Sequence, residues 1–191
     1  REQQGVLIRF DLSSIPPNAR IQAATLSLLT FNRNYADDLG VCTHVLSRTW
    51  EATQATWNRP RIGEAWATPG ANDNWYDRRG PSARDTSWRD RYEAWDSCVM
   101  FSAAQPAQTW YNWDMKNAVQ YWVEQPQFNY GAKLMSYIFR DVHYDLYSSE
   151  ASDVNWRPRL VVSYTLDSTA PTPTRLPPTP TITPTRIPNQ P

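Results

Sequence analysis

Two stretches near the start of the chain alternate apolar and polar residues with the two-residue period of a β-strand. The first stretch carries its apolar residues at Val6, Ile8, Phe10 and Leu12. The segment 15–18 interrupts this pattern with two prolines, which cannot donate a ladder hydrogen bond. A second strand is predicted from about Ile21, and its apolar residues change sides along the strand, which indicates a bulge or a change in which face is exposed. Two long strands this early predict a sheet.

The same alternation returns near residue 160, where RLVVSYTL places Leu160, Val162, Tyr164 and Leu166 on one face. We expect the first and last strands to belong to one antiparallel core. Shorter strands are predicted at 41–47, 99–101 and 134–139. One helix is predicted after Asp114, which we expect to cap it. Its apolar residues recur at helical spacing before Pro126, at Met115, Ala118, Val119, Trp122 and Val123.

These elements predict an all-β protein, an antiparallel β-sandwich of the jelly-roll type with one short helix. The sandwich domain is predicted to span residues 1–167. Within it, residues 70–97 show no periodicity, which is typical of a long surface insertion. From residue 168 to 191 the composition changes to proline and threonine, so this segment is predicted to be an extended polyproline II tail or linker.

Charge and hydropathy exclude several classes of function. The formal net charge is zero, so nothing steers the chain toward nucleic acid. No apolar run approaches the roughly 20 residues that cross a bilayer, so membrane insertion is not expected. The chain begins at Arg1 without an initiator methionine or a signal-like segment, which predicts a processed or truncated form.

Two cysteines, Cys42 and Cys98, give two interpretations. In a secreted chain they would pair as a disulfide, whereas inside a cell they would be buried free thiols. The Pro/Thr tail favours an extracellular or cell-surface location.

The insertion also has two interpretations. In the first, it is a carbohydrate-binding platform, since aromatic faces stack on sugar rings. The aromatic residues of this platform would be Trp75, Tyr76, Trp88, Tyr92 and Trp95. Alternatively, arginines stacked on tryptophan and paired with aspartate hold the loop in place. Calcium is the one cofactor the loop suggests, through Asp73, Asp77, Asp85 and Asp90. Their spacing does not match the EF-hand pattern, so we expect neither a metal nor a cofactor.

No catalytic constellation appears in the sequence. His44 and His143 are the only histidines and each is isolated, which favours structural roles. Serine-hydrolase, zinc-protease and phosphate-loop motifs are absent. We therefore expect a protein that is not an enzyme.

Four segments together resemble the DNRLRE-type domain. They are LIRFDLSSIPPNARIQAATLSL, TWEATQATWNRP, NAVQYWVEQPQFNYGAKL and SSEASDVNWRPRLVVSYT. The resemblance implies a secreted β-sandwich related to a disaggregatase domain and to a family of carbohydrate-binding modules. Glu150 matches a motif residue of the family, and its place beside the last strand suits a structural hydrogen bond. Members usually carry further residues before the first strand, which this chain lacks.

Three functions follow as hypotheses. A missing leading strand would leave an open sheet edge, so the first is a structural or filament-forming subunit whose tail and edge contact other copies of itself. The second is a carbohydrate-binding module that recognises a polysaccharide and is tethered by an O-glycosylated linker. The acceptors would be Thr172, Thr174, Thr179, Thr181, Thr183 and Thr185. The third, a glycan-cleaving enzyme, rests on the resemblance alone.

Overall fold

A computed structural model describes residues 5–34, 37–71, 97–136 and 142–166. Within these ranges the chain forms strands, one α-helix and two short 3-10 helices. The strands are β1 (Gly5–Ile8), β2 (Ala19–Arg33), β3 (Leu39–Val45), β4 (Cys98–Phe101), β5 (Trp110–Asp114), β6 (Ala132–Ser136), β7 (Tyr144–Leu146) and β8 (Arg159–Leu166). The helix α1 spans Lys116–Glu124, and the 3-10 helices span Pro126–Phe128 and Val154–Trp156.

The strands form two antiparallel sheets. The first sheet has the order β1-β6-β3-β4. The second sheet is built around β2, which pairs with β5, β7 and β8. Residues 25–27 of β2 pair with both β5 and β8, so these two strands lie on opposite sides of β2. The antiparallel β-sandwich predicted from the sequence is confirmed. The last strand β8 shares an antiparallel sheet with the early strand β2, whereas β1 lies in the other sheet.

The core lies between the two sheets and is closed by α1. Trp113 is fully buried at its centre, and its ring packs edge-on against Phe101. Alternation explains the inward set on β2, because Ala24, Leu26 and Leu28 are all buried. The apolar face of α1 is buried as its spacing predicts, through Ala118, Val119, Trp122 and Val123. Each sheet therefore has one face in the core.

The structure corrects several boundaries. β1 ends at Ile8, and Phe10 and Leu12 reach the core from a loop. The predicted bulge is present, because the β2–β8 register shifts between Ile21 and Ala23. β6 begins at Ala132, before the predicted position, and residues 137–141 lie outside the described part.

The start of the helix also differs from the prediction. Asp114 ends β5, and Met115 occupies the capping position without a side-chain cap. The carboxylate of Asp114 nevertheless accepts a 2.9 Å hydrogen bond from the amide of Lys116. Asp114 therefore contributes to the first turn of the helix from its position at the end of β5. The strands β5 and β7 were not predicted.

Cys42 and Cys98 form a disulfide across β3 and β4, where they lie directly opposite each other. This confirms the pairing interpretation over free thiols. Among the helices of the described ranges, none is long and apolar enough to span a membrane.

Candidate functional site

The outer face of the first sheet is covered by the segment 46–71. On this face Leu7, Lys133 and His44 lie side by side, because β6 pairs with β1 and β3 in that register. The segment packs on them through a second apolar cluster, separate from the core, formed by Leu46, Trp50, Trp66 and Ala71. The fold thus places an irregular, tryptophan-rich segment on a flat sheet face.

A cleft of about 300 Å³ opens between this segment and the sheet. We call it the tryptophan cleft. Its lining is Gly5, Leu7, Trp50, Ala52, Ala55, Thr56, Trp57, Trp66, Gly70, Ala71 and Lys133. The small residues leave the space, and the three indoles of Trp50, Trp57 and Trp66 lie in its wall.

Trp50 and Trp66 are fixed in the wall by their indole N–H groups. Trp50 Nε1 donates a 2.8 Å bond to the carbonyl of Tyr130, and Trp66 Nε1 donates a 2.9 Å bond to that of Thr56. Each ring also lies under a guanidinium, that of Arg9 at 5.6 Å from the centroid for Trp50 and that of Arg48 at 5.8 Å for Trp66. Both indoles are buried, so their positions are set before any ligand arrives.

Trp57 differs from the other two because 39% of its surface is exposed. Its ring lies against the backbone of Gly70, where an added Cβ would come within 2.5 Å of Trp57 Cη2. Gly70 also adopts a φ of +81°, which an L side chain rarely adopts. Gly70 is therefore required for the position of the exposed ring at the cleft.

Lys133 brings a positive charge to the cleft floor. Its side chain is almost fully buried, and its Nζ lies 6.0 Å from the ring centroid of Trp57. Gly5 leaves room for it, because a Cβ there would lie 2.9 Å from Lys133 Cε. Among the described lining residues it is the only charged one. The cleft therefore combines aromatic faces with one ammonium group.

An ion-pair network holds the far side of the segment. Glu64 accepts hydrogen bonds from Arg61 Nε at 2.7 Å and from Arg48 Nη2 at 3.1 Å. The hydrogen bond from Arg61 is the main reason that the pKa of Glu64 lies below its usual value. Arg48 also donates to the carbonyl of Ala65, next to Trp66. The network thus ties the chain just before Trp66 to the end of β3.

The residues predicted from the sequence fall in different places. The five aromatic residues proposed for sugar binding, the four aspartates considered for calcium and the six threonines of the tail all lie outside the described residues. His44 is buried on β3, beside Lys133, and His143 lies with its Nε2 3.9 Å from a carboxylate oxygen of Asp145. Glu150 accepts a 3.1 Å bond from the hydroxyl of Ser149, in keeping with a local structural role.

The tryptophan cleft was not predicted from the sequence. No binding role was predicted for Trp50, Trp57 or Lys133. One signal was available, since Lys133 is the single charged residue of the strand AKLMS and lies between Ala132 and Leu134.

The family model described as the disaggregatase related repeat domain matches residues 2–162. This chain belongs to that family. The match covers all the strands of both sheets apart from the end of β8, and it includes the tryptophan cleft. No curated protein and no solved structure matches the chain.

The described lining of the cleft offers aromatic faces and one ammonium group. The indole faces can contact the C–H faces of a sugar ring, and the ammonium can donate to hydroxyl or carboxylate oxygens. Among the described lining residues only Thr56 carries a hydroxyl, which accepts a 3.3 Å bond from the amide of Asn58. No groups of histidine, cysteine, aspartate or glutamate suited to a metal ion occur among the described residues.

Proposed function

We propose that this domain is a non-catalytic, extracellular carbohydrate-binding module and that the tryptophan cleft is its binding site. The observation that carries the proposal is the set of three indoles around a space of about 300 Å³ with one ammonium on its floor. Ligand pockets in proteins begin at about this size. A space of this size suits a short stretch of a polysaccharide.

The three indoles have different roles in this proposal. Trp50 and Trp66 form a rigid wall, because each is buried and hydrogen-bonded to the backbone. Trp57 is the ring with exposed surface and makes the stacking contact. Preformed walls lower the entropy that binding costs.

Lys133 determines whether the cleft prefers acidic or neutral sugars. Its ammonium is the only charged group among the described lining residues, so a carboxylated or sulfated sugar gains a charge-assisted hydrogen bond there. A neutral sugar meets the same group with a weaker hydrogen bond between the ammonium and a hydroxyl. We therefore expect uronic-acid polymers to bind more tightly than neutral ones.

Two features support the remaining parts of the proposal. The Cys42–Cys98 disulfide is typical of proteins that leave the reducing cytosol. The described cleft lining carries no carboxylate or imidazole that would act as an acid or a base.

The test is a binding titration of the purified chain against soluble uronic-acid and neutral oligosaccharides, read by calorimetry and by tryptophan fluorescence. Trp57→Ala is expected to weaken binding at least about tenfold, which corresponds to about 1.4 kcal/mol. Trp156→Ala is the matched control, because Trp156 is similarly exposed at 36% but lies outside the cleft.

A second variant separates charge from stacking. Lys133→Met keeps most of the side-chain volume and is expected to remove the preference for acidic sugars while leaving weak binding of neutral ones. Binding that is unchanged in both Trp57→Ala and Lys133→Met would show that the cleft is not the site. No binding to any sugar of the panel would overturn the proposed function.

A second candidate function is that of a structural subunit that associates with other copies of itself. The observation in its favour is the free edge of β8, which pairs only with β2 among the described strands. The contribution predicted for the tail concerns residues 168–191, outside the described part, and stays a prediction. Electron microscopy of the whole chain and of a chain ending at residue 167 tests whether the tail supports filaments.

A further inference from the structure

Among the described residues, the edge of β8 away from β2 is unpaired and presents a regular row of main-chain groups. Residues of β2 point alternately to its two sides. On the β5 side, the carbonyl of Ala24 accepts a hydrogen bond from the amide of Met115, and the amide of Thr30 donates one to the carbonyl of Thr109. On the other side, the carbonyl of Leu29 accepts one from the amide of Tyr147. From Ala23 to Leu29 the odd-numbered residues of β2 thus face this other side. Before the bulge the parity of β2 reverses, because the amide of Ile21 and the carbonyl of Ala19 bond to the side chain of Gln120, which leaves Arg20 to face Thr165 of β8.

The register of β8 then fixes which of its groups are free. Thr25 and Ser27 lie opposite Val161 and Arg159, so the odd-numbered residues of β8 bond to β2. The even-numbered residues direct their N–H and C=O groups away from the sheet. They are Leu160, Val162, Tyr164 and Leu166. No described residue supplies a main-chain partner for these four positions.

The side chains of the same row are incompletely covered. Leu160 and Val162 pack against the core, but Tyr164 is 40% exposed and Leu166 is 56% exposed. Natural sheet edges are usually protected by charge, proline or a bulge. The stretch from residue 160 to 166 contains no charged residue, no proline and no glycine. It is an edge that favours pairing.

We propose that β8 pairs antiparallel with β8 of a second copy, about a two-fold axis at Ser163. This inference develops the second candidate function and is independent of the tryptophan cleft. In this register Leu160 of one copy lies opposite Leu166 of the other, and Val162 lies opposite Tyr164. All four outward-facing positions become hydrogen-bonded pairs, and apolar side chains meet apolar ones.

A second copy suits this edge better than the other occupants available. A polysaccharide has no regular alternation of donors and acceptors at strand spacing. The Pro/Thr tail of the same chain lacks a donor at each of its many prolines. Residues 160–166 of a second copy offer a complete match without a charged residue, so no like charges face each other across the axis.

The pairing uses the same surface on both copies, so it closes on itself and gives a dimer. A filament would need a further contact. The dimer joins the second sheets of the two copies into one continuous sheet. The tryptophan cleft of each copy lies on the outer face of that copy's first sheet.

The experiment is sedimentation velocity of the full chain over a range of concentrations, combined with cysteine cross-linking. Ser163→Cys places two thiols opposite each other at a non-hydrogen-bonded pair, where the Cα separation of about 4.5 Å permits a disulfide. The native cysteines are already paired and do not compete. Met100→Cys is the control, because Met100 is exposed on β4, at an edge of the other sheet.

Two further variants test the geometry. Tyr164→Pro removes an outward N–H without touching the β2 ladder, so it is expected to weaken dimerisation at least about tenfold. Ser163→Lys places two ammonium groups opposite each other and is expected to weaken it about fivefold. Circular dichroism and thermal melting confirm that both variants are folded.

The expected result is a concentration-dependent dimer that is weakened by both variants, together with a covalent dimer in oxidised Ser163→Cys and not in Met100→Cys. A chain that stays monomeric throughout, or a dimer unaffected by all three changes at 163 and 164, overturns the proposal. Sugar binding by Tyr164→Pro should match that of the wild type. The experiment therefore distinguishes a failure of the dimer proposal from a failure of the sugar-binding proposal.

Discussion

The indole Nε1 of Trp113 donates a 2.9 Å hydrogen bond to the carbonyl of Val41, and this bond joins the two sheets through the centre of the sandwich. Trp113 lies on β5 of the second sheet, and Val41 lies on β3 of the first. The donor is fully buried, so no water can replace it. The side chain of Trp113 thus contributes both core packing and a hydrogen bond between the two sheets.

Trp113→Phe should destabilise the domain because it removes this donor and leaves a gap in the core. We expect a loss of about 2–4 kcal/mol in the free energy of unfolding. Urea denaturation followed by far-ultraviolet circular dichroism measures the change. Trp57→Phe is the control, since Trp57 is partly exposed and should cost less than about 1 kcal/mol. Equal effects of the two substitutions would show that the Trp113 bond adds nothing specific.

Gly131 lies at the turn before β6, where the chain passes close to the end of β1. Its φ is +79°, and an added Cβ would lie 2.8 Å from the Cβ of Arg9. Gly131→Ala combines an unfavourable backbone conformation with a clash, so it should cost about 2–4 kcal/mol.

Gly63→Ala is the matched control for Gly131→Ala. Its φ of +86° is similar, but an added Cβ meets nothing within 4 Å. It should therefore cost only the conformational part, about 1–2 kcal/mol. Thermal unfolding of the two variants measures the difference, and equal melting temperatures would contradict the predicted clash.

The disulfide should stabilise the fold by restricting the unfolded chain. It joins Cys42 and Cys98, which are 56 residues apart in sequence. For a loop of this length, we expect the double substitution Cys42→Ser and Cys98→Ser to lower the free energy of unfolding by about 2–5 kcal/mol. Denaturation in the presence and absence of a reductant checks this, because the reductant should shift the wild type and leave the variant unchanged. A reductant effect in the variant would point to a different cause.

The strands that dominate the fold were predictable because one physical signal decided each of them. On β2 and β8 the side chains alternate between core and solvent, and on α1 the apolar positions follow the helical period. β5 carries the same alternation, with Tyr111 and Trp113 inward, but it is short and runs directly into the helix. Because β5 has only five residues, its two-residue period did not show where the strand begins and ends.

The tryptophan cleft was not predictable because its parts come from distant points of the sequence. Trp57 lies in an irregular segment, whereas Lys133 and Gly5 lie on strands that only the sheet register brings together. The exposure of Trp57 depends on Gly70, whose role follows from its backbone conformation in the fold. Such a site depends on tertiary pairing, which local periodicity does not report.

The bond between Arg61 and Glu64 predicts how the cleft segment responds to acid. This hydrogen bond lowers the pKa of Glu64 in the folded protein below 4.5, the usual value for glutamate. A carboxyl whose pKa is lowered by folding stabilises the fold when the pH is above its unfolded pKa. That contribution is lost as the pH falls through the lower, folded value. Wild type should therefore be more stable than Glu64→Gln at neutral pH, and the difference should shrink in the acid range below 4.5.

Urea denaturation of both proteins across this pH range measures the difference directly. Arg61→Gln provides the control, because without its main partner Glu64 should lose most of the pH-dependent contribution. Glu64→Gln made in the Arg61→Gln background should then change little with pH. A difference between wild type and Glu64→Gln that stays constant from neutral pH to well below 4.5 would contradict the assigned role of the pair.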